Sequence, residues 1–110
     1  MGGPLSGIKI IDLSSVISGP VATVLLADQG ADVIKVEAPQ GDIVRRMGLG
    51  KNNLSPAFVS ANRGKRSICI DLKEPKGLVV VKKLVAEADV FIQNFRPGAI
   101  ERMGLSYDIL

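Results

Sequence analysis

Residues 8–37 read IKIIDLSSVISGPVATVLLADQGADVIKVE, and this stretch decides the fold. Ile8-Lys9-Ile10-Ile11-Asp12-Leu13 is a short apolar strand, and Ser14 to Gly19 is a loop. Ser18 stands where a hydroxyl caps a helix whose first turn holds Pro20, a position at which a missing N–H costs nothing. Val21 to Gln29 is almost wholly apolar, so this helix is expected to be buried on most sides, and Gly30 closes it. Asp32 to Glu37, built around Val33-Ile34-Lys35-Val36, is a second strand. A strand–helix–strand unit with apolar, non-alternating strands predicts an α/β fold, a Rossmann-like parallel sheet with helices on both faces.

The rest of the chain continues the pattern without a repeat or a low-complexity segment. Ala38 to Ala57 is rich in Gly, Pro and Asn and carries Arg45 and Arg46 side by side. It reads as a long excursion with one helical turn, and such loops are often functional. Ser67 to Leu72 is a third strand. Glu74-Pro75 opens a helix whose apolar positions Leu78, Val81, Leu84, Val85 and Ala88 follow helical spacing, with Lys82, Lys83 and Glu87 outward. Asp89 to Gln93 is a fourth strand. Pro97 starts a short helix ending near Gly104, and Ser106 caps one more that stops at Leu110. Ligands of such sheets sit beyond the carboxyl ends of the strands, where the loops Ser14–Gly19, Ala38 onward, Lys73 onward and Asn94–Gly98 lie.

With 110 residues the chain is one domain at most, and 46% hydrophobic with 4% aromatic residues means an aliphatic core. A net charge of +3 suits an anionic small ligand or nucleic acid, and ordinary surface scatter explains it equally well. Cys69, the one cysteine, sits between Ile68 and Ile70 and reads as a small buried strand residue. With no internal disulfide possible, a reducing cytoplasmic setting is expected. No run approaches the length of a membrane span, and Met1-Gly2-Gly3-Pro4 lacks the features of a signal peptide. The chain has no histidine, which excludes Ser–His and Cys–His nucleophile pairs and argues against zinc; no metal site is expected.

Several clusters bear on function. Backbone N–H groups of Ser15-Val16-Ile17-Ser18-Gly19-Pro20 point at whatever lies over the sheet, and Glu37 ends the second strand where a dinucleotide fold places its ribose-binding acid. That invites an NAD reading, but the loop lacks Gly-x-Gly-x-x-Gly and Pro20 removes a donor. An acid at a capping turn is the plainer account of Glu37. Asn62-Arg63-Gly64-Lys65-Arg66-Ser67 sets three cations around a glycine, either a phosphate cradle or a solvated turn. Lys73 follows the third strand, within reach of a ligand over the sheet edge. The stretch Val90 to Gly104 contains Asn94-Phe95-Arg96-Pro97-Gly98 and then Arg102, an aromatic ring for a base and two guanidinium forks for phosphates. The alternative is a packed turn with Phe95 in the core.

Together these pieces resemble the family III CoA-transferases, the group that includes formyl-CoA transferase, carnitine CoA-transferase and alpha-methylacyl-CoA racemase. The resemblance runs through Pro4 to Leu13, Ser18-Gly19-Pro20, Gly30 to Glu37, Asn62 to Ser67, Asp71-Leu72-Lys73, and Ala88-Asp89-Val90 to Arg102-Met103-Gly104. It implies coenzyme A, as acyl-CoA substrate, approached by Val16 and Ile17. It also implies nucleotide contacts from Ile70, Leu72, Lys73, Asn94, Phe95, Arg96 and Arg102. Ala38 departs from formyl-CoA transferase, which has an arginine there, so one adenine contact is in doubt. The resemblance implies a large and a small domain and two interlocked subunits. In the transferases an aspartate attacks the acyl-CoA to give a mixed anhydride and then an enzyme-bound CoA thioester. The racemases use an acid–base pair containing histidine.

That aspartate lies beyond the position matching Leu110, so no catalytic residue is assigned here. Residues 1–110 then correspond to the N-terminal part of the large, CoA-binding domain, as a fragment, a natural short reading frame or a cleavage product. The resemblance implies a chain inactive alone, paired with itself as a homodimer or with the remainder of the enzyme, without nucleic-acid or membrane partners. Two rival readings stand beside it, a self-associating interaction module exposing sheet edges and apolar faces, and an NAD- or ATP-binding module.

Overall fold

The computed structural model describes residues 2–48, 50–52 and 54–110. Four strands, β1 (Lys9–Asp12), β2 (Asp32–Glu37), β3 (Arg66–Cys69) and β4 (Val90–Ile92), form one sheet in the order β3-β2-β1-β4. Every pairing is parallel, with Ile10 beside Val33 and Val90 in the centre. Sequential strands grow outward from β1 in one direction, and β4 then crosses to its other side. The loops after β1 and β4 therefore diverge at a switch point, the crevice where such sheets bind ligands.

Strand geometry sends alternate side chains to opposite faces. Ile11, Leu13 and Val36 pack with Ile70, Val81, Ile100 and Leu105 in one core cluster. Here they meet α3 (Pro75–Ala86) and α4 (Ala99–Arg102). Ile10, Val33 and Ala31 pack on the other face with Leu26 and Ala27 of α1 (Ser18–Asp28). The second face is mixed in chemistry. Asp12, Lys35 and Glu37 fall on it in phase with Ile10 and Val33, and all three are buried. The central strands thus alternate on that face, contrary to the expectation of non-alternating strands, because each buried charge has a partner.

Other boundaries differ from expectation for local reasons. Ile17, not Ser18, occupies the capping position of α1, and no side chain caps that helix. Only Pro20, Thr23 and Val24 of α1 are buried, while Val21 and Leu25 are exposed. The helix is apolar all round, but the sheet covers one side of it. The third strand is shifted to Arg66–Cys69. The Ile70 N–H closes the ladder on the Glu37 carbonyl, and the chain then turns where Asp71 accepts the Lys73 N–H at 3.0 Å. Cys69 is exposed rather than buried, since β3 is an edge strand and Cys69 faces away from Ile68 and Ile70.

The excursion after β2 holds the expected turn as a 3₁₀ helix, Ile43–Arg46, capped by Asp42. It also leads to an unexpected helix, α2 (Pro56–Asn62), whose Ser55 accepts the Phe58 N–H and whose first turn carries Pro56. Helix α4 is shorter than expected because Gly98, at φ +89°, delays its start. The segment after Ser106 makes one turn, with the Ile109 and Leu110 N–H groups on the Ser106 carbonyl, rather than a helix.

Candidate functional site

The loop leaving β1 is held by side chains from three other places. The Ser14 N–H donates to Asp12 at 2.8 Å, and the Ser14 hydroxyl donates to the same oxygen. The Ser15 N–H donates to the Asn94 side-chain oxygen at 3.0 Å, and the Asn94 amide returns a bond to the Ser15 carbonyl at 2.9 Å. The Val16 N–H donates to both Asp42 oxygens, at 3.1 and 3.2 Å. The expectation that these N–H groups point at a ligand is therefore corrected for Ser15 and Val16. The Ser14, Ser15 and Val16 donors are already satisfied by the chain, which leaves of the expected donors those of Ile17, Ser18 and Gly19 at the start of α1.

Glu37 is equally committed. Its carboxylate takes two bonds from Arg45, at 2.7 and 2.8 Å, and one from the Asp42 N–H at 2.7 Å. The Arg45 guanidinium lies 3.8 Å from the Phe58 ring centroid. Burial pushes the Glu37 carboxyl up, but the Arg45 and Asp42 bonds outweigh it and hold the group below its ordinary 4.5. The same bonds raise Arg45. The acid thus anchors the 3₁₀ turn, in line with its plainer account.

The cation turn before β3 splits three ways. Arg63 pairs with Asp28 and Arg66 with Asp32, at 2.6 and 2.7 Å, on the exposed surface. Lys65 turns inward and meets Asp12 at 3.1 Å, with both side chains essentially buried. Burial pushes Asp12 up, yet bonds from Ser14 and Thr23 and the Lys65 charge leave it below its ordinary 3.8. Burial lowers Lys65 more than Asp12 raises it. These cations serve structural ion pairs instead of forming a phosphate cradle.

Beyond the carboxyl ends of β1 and β2 lies a cavity of about 350 Å³. Leu13 and Ser14, Lys35 to Ala38, Gln40 to Ile43, Asp71 to Lys73, Phe95 and Met103 line it. Of the anticipated contact residues it gathers Leu72, Lys73 and Phe95. Phe95 is half-buried, packing against the core cluster and also lining the cavity. Arg96 and Arg102 are exposed and do not line it, and the Arg102 guanidinium lies over Gly98, where an added Cβ would stand 2.8 Å from it. Unlike the turn cations, Lys73, Arg96 and Arg102 make no side-chain ion pair among the described residues.

The remaining anticipated residues are less directly presented. Ile70 is 6% exposed with its side chain in the core, so it can offer a ligand little beyond its main chain. Val16 is half-buried, and Ile17 is 46% exposed ahead of α1. Asn94 is exposed but bound to Ser15. A larger concavity of about 910 Å³ runs along the unpaired edge of β4. It gathers Asp89, Glu101 and Asp108 and no Lys or Arg, which suits an anionic ligand poorly.

Sequence reasoning missed Asp42 and Lys35. The available signal was a lysine in phase with Val33 on a strand expected to be buried on both faces, which demands an acidic partner. No group of three or more His, Cys, Asp and Glu residues able to hold a metal occurs among the described residues. Nor is any described helix long and apolar enough to cross a membrane.

The profile of CoA-transferase family III matches residues 5–110. The chain belongs to that family. Succinyl-CoA:glutarate CoA-transferase from Mus musculus is 48% identical over 107 residues, covering 96% of this chain and 24% of the relative. Succinate–glutarate CoA-transferase from Agrobacterium fabrum is 50% identical over 115 residues, covering 97% of this chain and 29% of the relative. A crystal structure of a CAIB/BAIF family protein from Brucella suis superposes with a TM-score of 0.92 at 41% identity, covering 99% of this chain and 30% of that one. The family III chain therefore spans 24% to 30% of the length of these relatives.

Proposed function

We propose that residues 1–110 form the N-terminal, CoA-binding part of the large domain of a CoA-transferase that moves CoA between acyl-CoA thioesters and carboxylic acids. The observation that carries this reading is the carboxyl-rim cavity, with Phe95 and Lys73 in its wall and with Arg96 and Arg102 exposed on the segment that follows Phe95. An adenine ring finds an aromatic partner there, and phosphates find charge-assisted donors. The Mus musculus and Agrobacterium fabrum relatives carry CoA-transferase activity in their names, which supports the substrate class.

The covalent chemistry, attack of an aspartate on the acyl-CoA and release through an enzyme-bound thioester, belongs in this reading to the part of the relatives that this chain does not span. This chain supplies binding and orientation, so it shows no acyl exchange alone. Calorimetric titration with CoA, NAD and ATP tests the reading. CoA is expected to bind more tightly than NAD, because Glu37 and the Val16 N–H are both occupied internally. Equal binding of all three, or none of CoA, would overturn it.

One observation favours a second reading, self-association. The β4 edge is unpaired, and Ile17, Val21 and Leu25 form an exposed apolar stripe at helical spacing. Sedimentation that shows a single monomeric species at high concentration removes this reading and leaves the first intact.

A further inference from the structure

Val16 has φ +66°, a left-handed backbone that β-branched residues avoid. Something must hold it there, and one group faces it. Both Asp42 carboxylate oxygens accept the Val16 N–H, and the Oδ1 atom also accepts the Val44 N–H at 3.1 Å. The Lys35 ammonium meets Oδ2 at 3.1 Å and donates a second bond to the Ser14 carbonyl at 3.0 Å. The side chains of the pair are 2% and 1% exposed. Lys35 reaches this point from the middle of β2, and Asp42 from the cap of the 3₁₀ turn, whose own N–H is fixed by Glu37.

The turn between the first strand and first helix of a Rossmann-like sheet is where a ligand anion ordinarily meets backbone N–H groups. In this chain a carboxylate of its own stands at that N–H, with a lysine as counter-ion. We propose that Asp42 is a positioning residue, a built-in anion that holds Val16 in its left-handed geometry and so fixes the surface that Val16 and Ile17 present above the sheet. The ligand meeting that surface rests on the CoA reading, whereas the geometry does not. The Val16 N–H is closed to a ligand anion, and a second carboxylate or phosphate brought to it would meet the charge of Asp42.

The test is amide hydrogen exchange by NMR on the 110-residue chain, comparing wild type, Asp42→Asn, Val16→Gly and the double variant. Asn keeps the size and removes the charge. The Val16 amide is expected to exchange about tenfold faster in Asp42→Asn while amides of the β1–β2 ladder are unchanged. CoA affinity is expected to fall by about tenfold in Asp42→Asn, and to fall much less when the substitution is made in Val16→Gly, because glycine adopts positive φ without support. A purely structural ion pair would not be rescued by that glycine. If Asp42→Asn does not fold, Asp42→Glu is read in the same way, its longer carboxylate being unable to keep both contacts. Unchanged Val16 exchange in a folded variant overturns the proposal, as does equal loss of affinity with and without Gly at position 16. Absence of CoA binding by wild type ends the CoA reading instead, and the exchange result still decides the role of Asp42.

Discussion

Asn94 and Ser15 are bonded in both directions across the switch point of the sheet, the Ser15 N–H to the amide oxygen at 3.0 Å and the amide nitrogen to the Ser15 carbonyl at 2.9 Å. One side chain thereby ties the loop after β4 to the loop after β1, the two segments that diverge at the crevice. Asn94 is followed at once by Phe95 and Arg96, so the clamp also sets where the ring and the guanidinium stand.

Asn94→Ala removes both bonds. Because the amide is exposed and water replaces part of the loss, stability is expected to fall by about 1–2 kcal/mol, seen as a lower denaturant midpoint at an unchanged slope. CoA affinity is expected to fall as well, since Phe95 loses its anchor. A variant with wild-type stability and affinity would show that the clamp positions nothing.

Lys65→Met tests the assignment of the cation turn to structure. The substitution leaves Asp12, 0% exposed, charged without its partner. A loss of about 3–5 kcal/mol is expected, the cost of breaking a buried pair from one side. Arg63→Ala, on an exposed pair, is expected to cost under about 1 kcal/mol. Thermal melts of the two variants separate these outcomes, and similar small losses would contradict the burial of Lys65.

Acid should unfold the chain through its second face. Glu37 and Asp12 are held below their ordinary values of 4.5 and 3.8, so the unfolded chain takes up their protons first as pH falls. Their stabilisation is fully present above about pH 4.5 and is lost as pH falls through the lower, folded values. Stability measured from pH 7 to pH 2 should therefore be flat above that point and drop below it. Glu37→Gln should flatten part of the drop while lowering the neutral-pH plateau.

The parallel sheet was readable because Ile8–Leu13 and Val33–Val36 are short apolar runs on either side of an apolar helix. The turn chemistry around them was readable only in part. Ser55-Pro56 carries a cap and a first-turn proline, yet the Gly- and Asn-rich residues before it masked the helix they open. The buried charges were harder still. Asp12 and Glu37 look like ordinary strand-end polar residues, and Lys35 like a stray cation within a strand, until Lys65, Arg45 and Asp42 are brought to them from up to 53 residues away. Local periodicity carries no record of such contacts. For the same reason the two bonds between Asn94 and Ser15 left no sign in the sequence.

Arg102→Ala should weaken CoA binding by about 1–3 kcal/mol, the range for a charge-assisted bond, without a change in melting temperature, since its guanidinium makes no ion pair among the described residues. Arg66→Ala, equally exposed but paired with Asp32 at the amino edge of the sheet, should leave the affinity unchanged. Equal effects of the two would point to general electrostatic attraction rather than a site.

The central claim is that the carboxyl rim around Lys73 and Phe95 receives coenzyme A. A titration of the isotopically labelled chain with CoA, followed by amide shift changes, tests it most directly. Saturable changes are expected at Val16, Ile17, Leu72, Lys73, Phe95, Arg96 and Arg102, with residues of the β4-edge concavity such as Asp89 and Asp108 unmoved. Changes confined to that edge, or none at all, would contradict it.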